Sequence, residues 1–83
     1  MVRLAAEQGV AVAQYNLGVM YATGKGVKQD NIYAHMWWNI AASQENKDAI
    51  KNRFIVALKM TPSQLEKAKE LAQECVKKNY KGC

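Results

Sequence analysis

The chain is similar to itself at a spacing of 36 residues, and this period restricts the fold more than any other feature. Fixed periods of roughly 20–50 residues are typical of stacked structural repeats. Several of the matching residues are alanine, and small side chains let helix backbones approach closely. The matched pairs are Ala5 with Ala41, Ala6 with Ala42, Gln8 with Gln44, Ala13 with Ala49, Asn16 with Asn52, Val19 with Ile55 and Met20 with Val56.

The spacing of apolar residues predicts four helices and no strand. We place them near residues 11–23, 30–44, 46–59 and 62–79, with a short helical remnant near 3–8. In each stretch the apolar residues recur three, four or seven positions apart, which places them on one helical face. The predicted core faces are Ala13, Leu17, Met20 and Tyr21; Ala34, Trp37, Trp38 and Ala41; Ile50, Phe54, Ala57 and Leu58; and Leu65, Ala68, Leu71, Ala72, Cys75 and Val76.

Capping signals mark the ends of these helices. Gly24 suits the left-handed residue that ends a helix, and Asp30 or Asn31 can cap the next helix. Residues 61–64, Thr-Pro-Ser-Gln, form a capping box with proline at the first helical position. Gly18 lies within a predicted helix, where glycine costs about 1 kcal/mol relative to alanine. Its presence there indicates a close contact between helices.

A longer motif connects these signals. It reads Ala13-Gln14-Tyr15-Asn16-Leu17-Gly18-x-x-Tyr21-x-x-Gly24-x-Gly26-Val27-x-x-Asp30, followed by Ala34-x-x-Trp37-Trp38-x-x-Ala41-Ala42-x-Gln44. This motif resembles the Sel1-like repeat (SLR) family, a relative of the tetratricopeptide repeat. The resemblance covers one full repeat at residues 9–44, and it extends into a degenerate repeat at 45–60. A capping helix with its tail would follow at 61–83, similar to the terminal helix of bacterial members.

The chain departs from the motif at two positions and in its second copy. Glu45 occupies the position after Gln44 where the family usually has glycine, and Tyr33 occupies a position that is usually lysine or a similar residue. The second copy lacks the Leu-Gly-x-x-Tyr core. The resemblance still implies a single domain, residues 1–83, built as an all-α solenoid of antiparallel helix hairpins. Its structural positions would be Ala13, Leu17, Gly18, Tyr21, Gly24, Gly26, Ala34, Trp37 and Ala41.

The resemblance also implies a scaffold for other proteins, often in bacterial envelopes. The first helices of stacked pairs line a concave surface, and we expect that surface to bind a protein or peptide. In a competing interpretation, it stacks on a preceding repeat or on a second copy through the open N-terminal end. We further expect Tyr33 and Trp38 to be partly exposed. The predicted binding residues are Val12, Asn16, Val19, Thr23, Asn52, Ile55, Val56 and Lys59.

Catalytic, metal and cofactor chemistry find little support in the sequence. His35 is the only histidine, and we interpret it as a surface residue. A metal site needs three or four ligands at compatible spacing. The Gly24-x-Gly26 segment lacks the strand, third glycine and Lys-Ser/Thr pair of a phosphate loop. We therefore expect no enzyme activity, metal or cofactor; a thiol-dependent enzyme is the weakest alternative.

The charge of the chain is uneven. Its formal net charge is +5, of which residues 1–44 contribute +1 and residues 45–83 contribute +4. Basic surfaces attract phosphate and anionic lipid. We interpret the lysines as the solvated faces of amphipathic helices. The alternative is a basic helical module that binds nucleic acid or an anionic surface.

The two cysteines predict a disulfide between Cys75 and Cys83. They are eight residues apart, and Gly82 can adopt the positive φ that turns the tail back towards the helix. Such a bond indicates an oxidising compartment, either the bacterial periplasm or the extracellular space. Two free thiols in a cytoplasmic protein are the alternative. Residues 1–7 do not resemble a secretory signal because Glu7 interrupts them, and no apolar run approaches the roughly 20 residues that span a bilayer.

Overall fold

The computed structural model describes residues 2–83. It contains five helices: α1 (Val2–Glu7), α2 (Ala11–Thr23), α3 (Asn31–Ser43), α4 (Lys47–Ala57) and α5 (Pro62–Lys77). No strand occurs among these residues, so the predicted all-α fold is confirmed. None of the helices is long and apolar enough to cross a membrane.

Capping interactions fix the helix ends largely as predicted. Gly24 has φ +77° and donates its backbone N–H to Met20 O at 2.7 Å, which ends α2. The Asp30 carboxylate accepts from the backbone N–H groups of residues 32 and 33, so Asp30 rather than Asn31 is the cap of α3. Thr61 and Gln64 form the reciprocal capping box of α5.

Helix α3 is the centre of the fold. It packs against α2, α4 and α5, while α1 packs against α2. Five consecutive residues, Ala34–Trp38, are buried, so α3 is covered on all its faces rather than along a single stripe. One core cluster surrounds Trp37, with Leu17 and Met36, and extends to α1 and α5. The other surrounds Trp38 and extends to α4.

Trp38 is buried, and our expectation that it is partly exposed is wrong. Its exposed fraction is 4%, and its indole Nε1 donates to the backbone oxygen of Tyr15 at 3.0 Å. The ring lies against the backbone of Gly18, where a Cβ atom would be 2.4 Å from Nε1. The mid-helix glycine therefore makes room for the indole. Tyr33 is half-buried, as expected, and stacks on Tyr21 with ring centroids 5.4 Å apart.

The predicted core face of α4 is wrong. Ile50, Phe54 and Leu58 are 43%, 69% and 76% exposed, whereas Ala49 and Val56 are buried. Helix α4 packs against α3 through Ala49 and Val56, which leaves the bulky side chains outside this contact. The 36-residue period had already paired Ala49 with Ala13 and Val56 with Met20.

The disulfide predicted between Cys75 and Cys83 is confirmed, with a Cα–Cα distance of 5.7 Å. Gly82 has φ +71°, as expected for the returning tail. Two further residues, Asn79 and Tyr80, also have positive φ values of 55° and 66°. The tail packs against the core cluster around Trp37, and the ring of Tyr80 lies against Gly9. It thereby covers the end of the core where α1 joins α2.

Candidate protein-interaction surface

The binding residues predicted on α2 are only partly available. Val12, Asn16 and Thr23 are exposed. Val19, however, is half-buried and packs against the core cluster around Trp38. The Thr23 hydroxyl donates to the backbone oxygen of Val19 at 2.8 Å, so its hydrogen is used within the helix. The free surface of α2 therefore consists mainly of Val12 and Asn16.

The binding residues predicted on α4 divide in the same way. Ile55 and Lys59 are exposed, but Val56 is only 5% exposed and belongs to the core. Val56 is therefore removed from the predicted surface. Asn52 is half-buried and donates its side-chain amide to the hydroxyl of Tyr15 at 3.2 Å. This bond joins α4 to α2 and uses one of the two N–H donors of the Asn52 amide.

A cleft of about 230 Å³ lies where α2 meets α4. It brings together the four residues predicted on the third long helix, although Lys59 lies just beyond the end of α4. Val12, Asn16, Val19 and Thr23 do not line it. Ala22 supplies the α2 side, and the buried Trp38 forms part of the wall. Its lining residues are Ala22, Asn31, Trp38, Asn52, Ile55, Val56 and Lys59.

The residues predicted to be structural lie mostly inside. Ala13, Leu17, Gly18, Ala34, Trp37 and Ala41 are buried. Tyr21 is half-buried, and its hydroxyl accepts from the guanidinium of Arg3 at 2.7 Å, which attaches α1 to the hairpin. Gly24 and Gly26 are exposed in the turn after α2, and both have φ +77°.

A larger groove lies between α4 and α5, and sequence reasoning missed it. Both helices pack on α3, and the space left between them has a volume of about 660 Å³. His35 of α3 lines the groove between the two helices. The signal was present in the sequence as an apolar stripe on α4, which we interpreted as core. The lining residues are His35, Ile50, Lys51, Arg53, Phe54, Ile55, Ala57, Leu65 and Lys69.

The charged residues that line this groove are all basic: Lys51 and Arg53 from α4 and Lys69 from α5. Arg53 donates from Nη1 to the side-chain oxygen of Asn39 at 2.7 Å, which fixes the guanidinium at the α3 side of the groove. His35 is 3% exposed, so our interpretation of it as a surface histidine is wrong. Burial, together with the positive charges of Arg53 and Lys69, lowers the pKa of His35 below 6.5.

Two polar features of the interior were also missed. Gln14 is fully buried; its amide donates to the backbone oxygen of Ala6 at 3.1 Å, and its oxygen accepts from Gln44 at 2.8 Å. These bonds connect α1, α2 and the end of α3. The second is the Nδ1 atom of His35, which is buried without a hydrogen-bond partner.

The structure offers little chemistry for catalysis in the described part of the chain. Among residues 2–83, no three His, Cys, Asp or Glu side chains are grouped to hold a metal ion. Cys75 and Cys83 are joined in the disulfide, which leaves neither sulfur as a thiol nucleophile. The thiol-dependent alternative therefore has no reactive group in this structure.

The hairpin α2–α3, its neighbours α1 and α4, and the closing helix α5 define a helical-repeat protein of the solenoid class. Residues 11–46 match the family model of the Sel1 repeat. The structure is also similar to the crystal structure of c5321, a protective antigen present in uropathogenic Escherichia coli strains that displays an SLR fold. The two share 34% sequence identity over 95% of this chain, with a TM-score of 0.88. The chain is thus a Sel1-like repeat protein.

The chain spans 18% of the length of c5321. A comparison with curated proteins found no match. Sel1 repeats are in general modules of protein–protein interaction. These comparisons therefore establish the class of the protein and the general role of its repeat.

Proposed function

We propose that this chain is a non-catalytic scaffold that binds a protein or peptide on the surface formed by α2 and α4. The observation that carries the proposal is the cleft between these helices, which Asn52, Ile55 and Lys59 line together with Ala22. Val12 and Asn16 are exposed elsewhere on α2, the helix that contributes Ala22 to the cleft. The general role of Sel1 repeats in protein interaction supports the same function.

We also propose the organisation and location that go with this role. One full repeat at residues 9–44, a degenerate repeat at 45–60 and a capping helix at 61–83 would form the module. The disulfide supports an oxidising compartment, for which we propose the bacterial periplasm or the extracellular space. Helix α1 packs on α2 at the N-terminal end, so self-association would need the part of α2 that α1 leaves uncovered.

Selection from a displayed random peptide library, with the whole chain as bait, tests the function. The selected peptides are then measured against a triple variant, Val12→Ser, Asn16→Ala and Lys59→Ser. All three residues are exposed, so the variant should retain its helicity. We expect it to lose at least about tenfold in affinity, or about 1.4 kcal/mol.

Two results would contradict the proposal. If no peptide is selected, or if the triple variant binds as well as the original chain, the α2–α4 surface does not bind a partner. A nucleic-acid or anionic-surface binder would instead bind a fluorescent oligonucleotide with an affinity that falls steeply with salt. Such salt-dependent binding of an oligonucleotide would favour the basic-module alternative.

A further inference from the structure

The α4–α5 groove has the properties of a second binding site. We propose that it docks a short amphipathic segment of another protein, with apolar residues that enter the groove and Asp or Glu residues that flank them. This inference rests on the proposed function as an interaction module, but it concerns the other side of α4; Ile55 is the one residue that lines both this groove and the α2–α4 cleft. It assigns both the place and the chemistry of the partner segment.

The apolar part of the proposal follows from α4. Ile50 and Phe54 are four residues apart on α4, line the groove and are exposed. Leu65 lies across the groove on α5 and is half-buried. Scattered exposed apolar residues are ordinary, whereas a contiguous patch marks an interface. An apolar groove can accept the apolar face of an amphipathic helix.

The charge of the groove indicates the charge of the partner segment. Lys51, Arg53 and Lys69 line it, and no Asp or Glu does. Complementary charge favours an acidic partner and excludes a basic one. Arg53 is already held by Asn39, so its remaining N–H donors are oriented before a carboxylate arrives. A partner without carboxylates would leave three cations facing its apolar residues.

The same charges argue against a second copy of the chain. In a two-fold symmetric contact, the same patch on both copies meets itself. The basic residues that line one groove would then oppose those of the other. The C-terminal tail of this chain is engaged elsewhere, because Tyr80 packs at Gly9 and the disulfide holds the tail there. A segment of another protein is therefore the occupant that the charges favour.

His35 adds an independent observation at the base of the groove. Its Nδ1 atom is buried and has no hydrogen-bond partner. Because burial and the neighbouring Arg53 and Lys69 lower the pKa of this histidine, it is neutral near pH 7 and adds no positive charge to the groove.

Three synthetic peptides test the proposal by fluorescence anisotropy. The first carries leucines at helical spacing flanked by glutamates, the second has the same leucines flanked by lysines, and the third has the glutamates with serines in place of leucines. We expect the first peptide to bind the whole chain, and the other two to bind at least about tenfold more weakly. The comparison separates the apolar requirement from the charge requirement.

Two variants locate the site. Phe54→Ser should weaken binding of the glutamate–leucine peptide at least about tenfold, since it removes the most exposed aromatic ring of the groove. The double charge reversal Lys51→Glu and Lys69→Glu should transfer the preference to the lysine–leucine peptide. The matched controls are Leu4→Ser on α1 and Lys67→Glu on α5. Both residues are exposed and lie outside the groove, so these controls should bind like the original chain.

Several outcomes would overturn the inference. The inference is wrong if the glutamate–leucine peptide does not bind at concentrations up to about 1 mM, or if the serine peptide binds as tightly as the glutamate–leucine peptide. It is also wrong if the double charge reversal leaves the preference for the glutamate–leucine peptide unchanged. A dimer that sedimentation detects and Phe54→Ser abolishes would identify a second copy as the occupant instead. Failure here leaves the α2–α4 proposal intact, because the triple variant that tests that surface changes no residue of this groove.

Discussion

Gly18→Ala should destabilise the protein, although alanine is the better helix former. Gly18 lies within α2, where replacing glycine with alanine normally gains about 1 kcal/mol. In this fold the new Cβ would be 2.4 Å from Nε1, 2.5 Å from Cδ1 and 2.9 Å from Cε2 of the Trp38 indole. All three distances are below van der Waals contact. Either the ring or the helix must therefore move.

The expected magnitude follows from two costs and one gain. Overpacking a tight core costs about 1–3 kcal/mol. A displaced Trp38 also loses its bond to Tyr15 O, and a buried polar group left without a partner costs about 1–3 kcal/mol. Subtracting the gain in helix propensity leaves a net destabilisation of about 1–5 kcal/mol. The direction of the change in stability is the informative result, since helix propensity alone predicts that Gly18→Ala stabilises the protein.

Urea unfolding, followed by far-ultraviolet circular dichroism, measures the effect. A double-mutant cycle with Trp38→Leu provides the control: if the clash with the indole is the cause, Gly18→Ala should cost less in the Trp38→Leu background. A Gly18→Ala variant more stable than the original chain by about 1 kcal/mol would refute the argument. It would mean that the glycine is not needed for the contact between α2 and α3.

Three further predictions concern the core and the tail. Trp37 is fully buried, so Trp37→Ala should lower the free energy of unfolding by about 3–5 kcal/mol; cooperative urea unfolding at an unchanged midpoint would contradict this. The pKa of His35 is lowered by burial first, then by Arg53 and Lys69. The unfolded chain therefore binds the proton more readily, and stability should fall as pH drops below about 6.5. His35→Gln should flatten this part of the curve, and an unchanged slope of the urea midpoint against pH would count against it. Reduction of the Cys75–Cys83 disulfide should cost about 2–3 kcal/mol in the chain-entropy model, measured as a lower urea midpoint in reductant; equal midpoints would show that the tail adds no stability.

The sequence predicted the helices well because their signals are local. Caps such as Gly24, Asp30 and Thr61 act within one turn, and they formed as expected. The face of α4 could not be predicted from apolarity alone, because Ile50 and Phe54 form as good a stripe as any core face. The 36-residue period contained the correct register, since it places Ala49 where Ala13 lies. Repeat register was therefore better evidence than hydrophobic spacing on this helix.

The same limit explains the errors at the candidate sites. Val56 and His35 are buried by helices distant in sequence, and no local pattern reports such contacts. The α4–α5 groove exists because two helices share α3 as their support, which is a tertiary property. Trp38 could have been placed correctly, because the mid-helix Gly18 already indicated a close contact and a large ring nearby was its natural neighbour.

Glu45 shows how a departure from a repeat motif becomes a prediction about stability. The Sel1-like motif usually has glycine at this position, and here Glu45 adopts φ +65°. The left-handed conformation costs a residue with a Cβ about 1–2 kcal/mol. Glycine avoids this cost, but it gives up about 0.4–1 kcal/mol through the greater freedom of the unfolded chain. Glu45→Gly should therefore stabilise the protein by about 0.8 kcal/mol at the midpoints of these two ranges, and by about 1.6 kcal/mol at most.

The conformation at Glu45 is fixed by its neighbours. Its backbone N–H donates to Ala42 O at 2.9 Å, and the next residue, Asn46, caps α4 through Ala49. The turn must therefore keep its shape whichever side chain position 45 carries. Glu45→Ala is the matched control, because alanine removes the same carboxylate but keeps the Cβ and its strain. Only Glu45→Gly should raise the urea midpoint; an equal gain with alanine would assign the effect to the charge, and no gain with glycine would show that this turn is not strained.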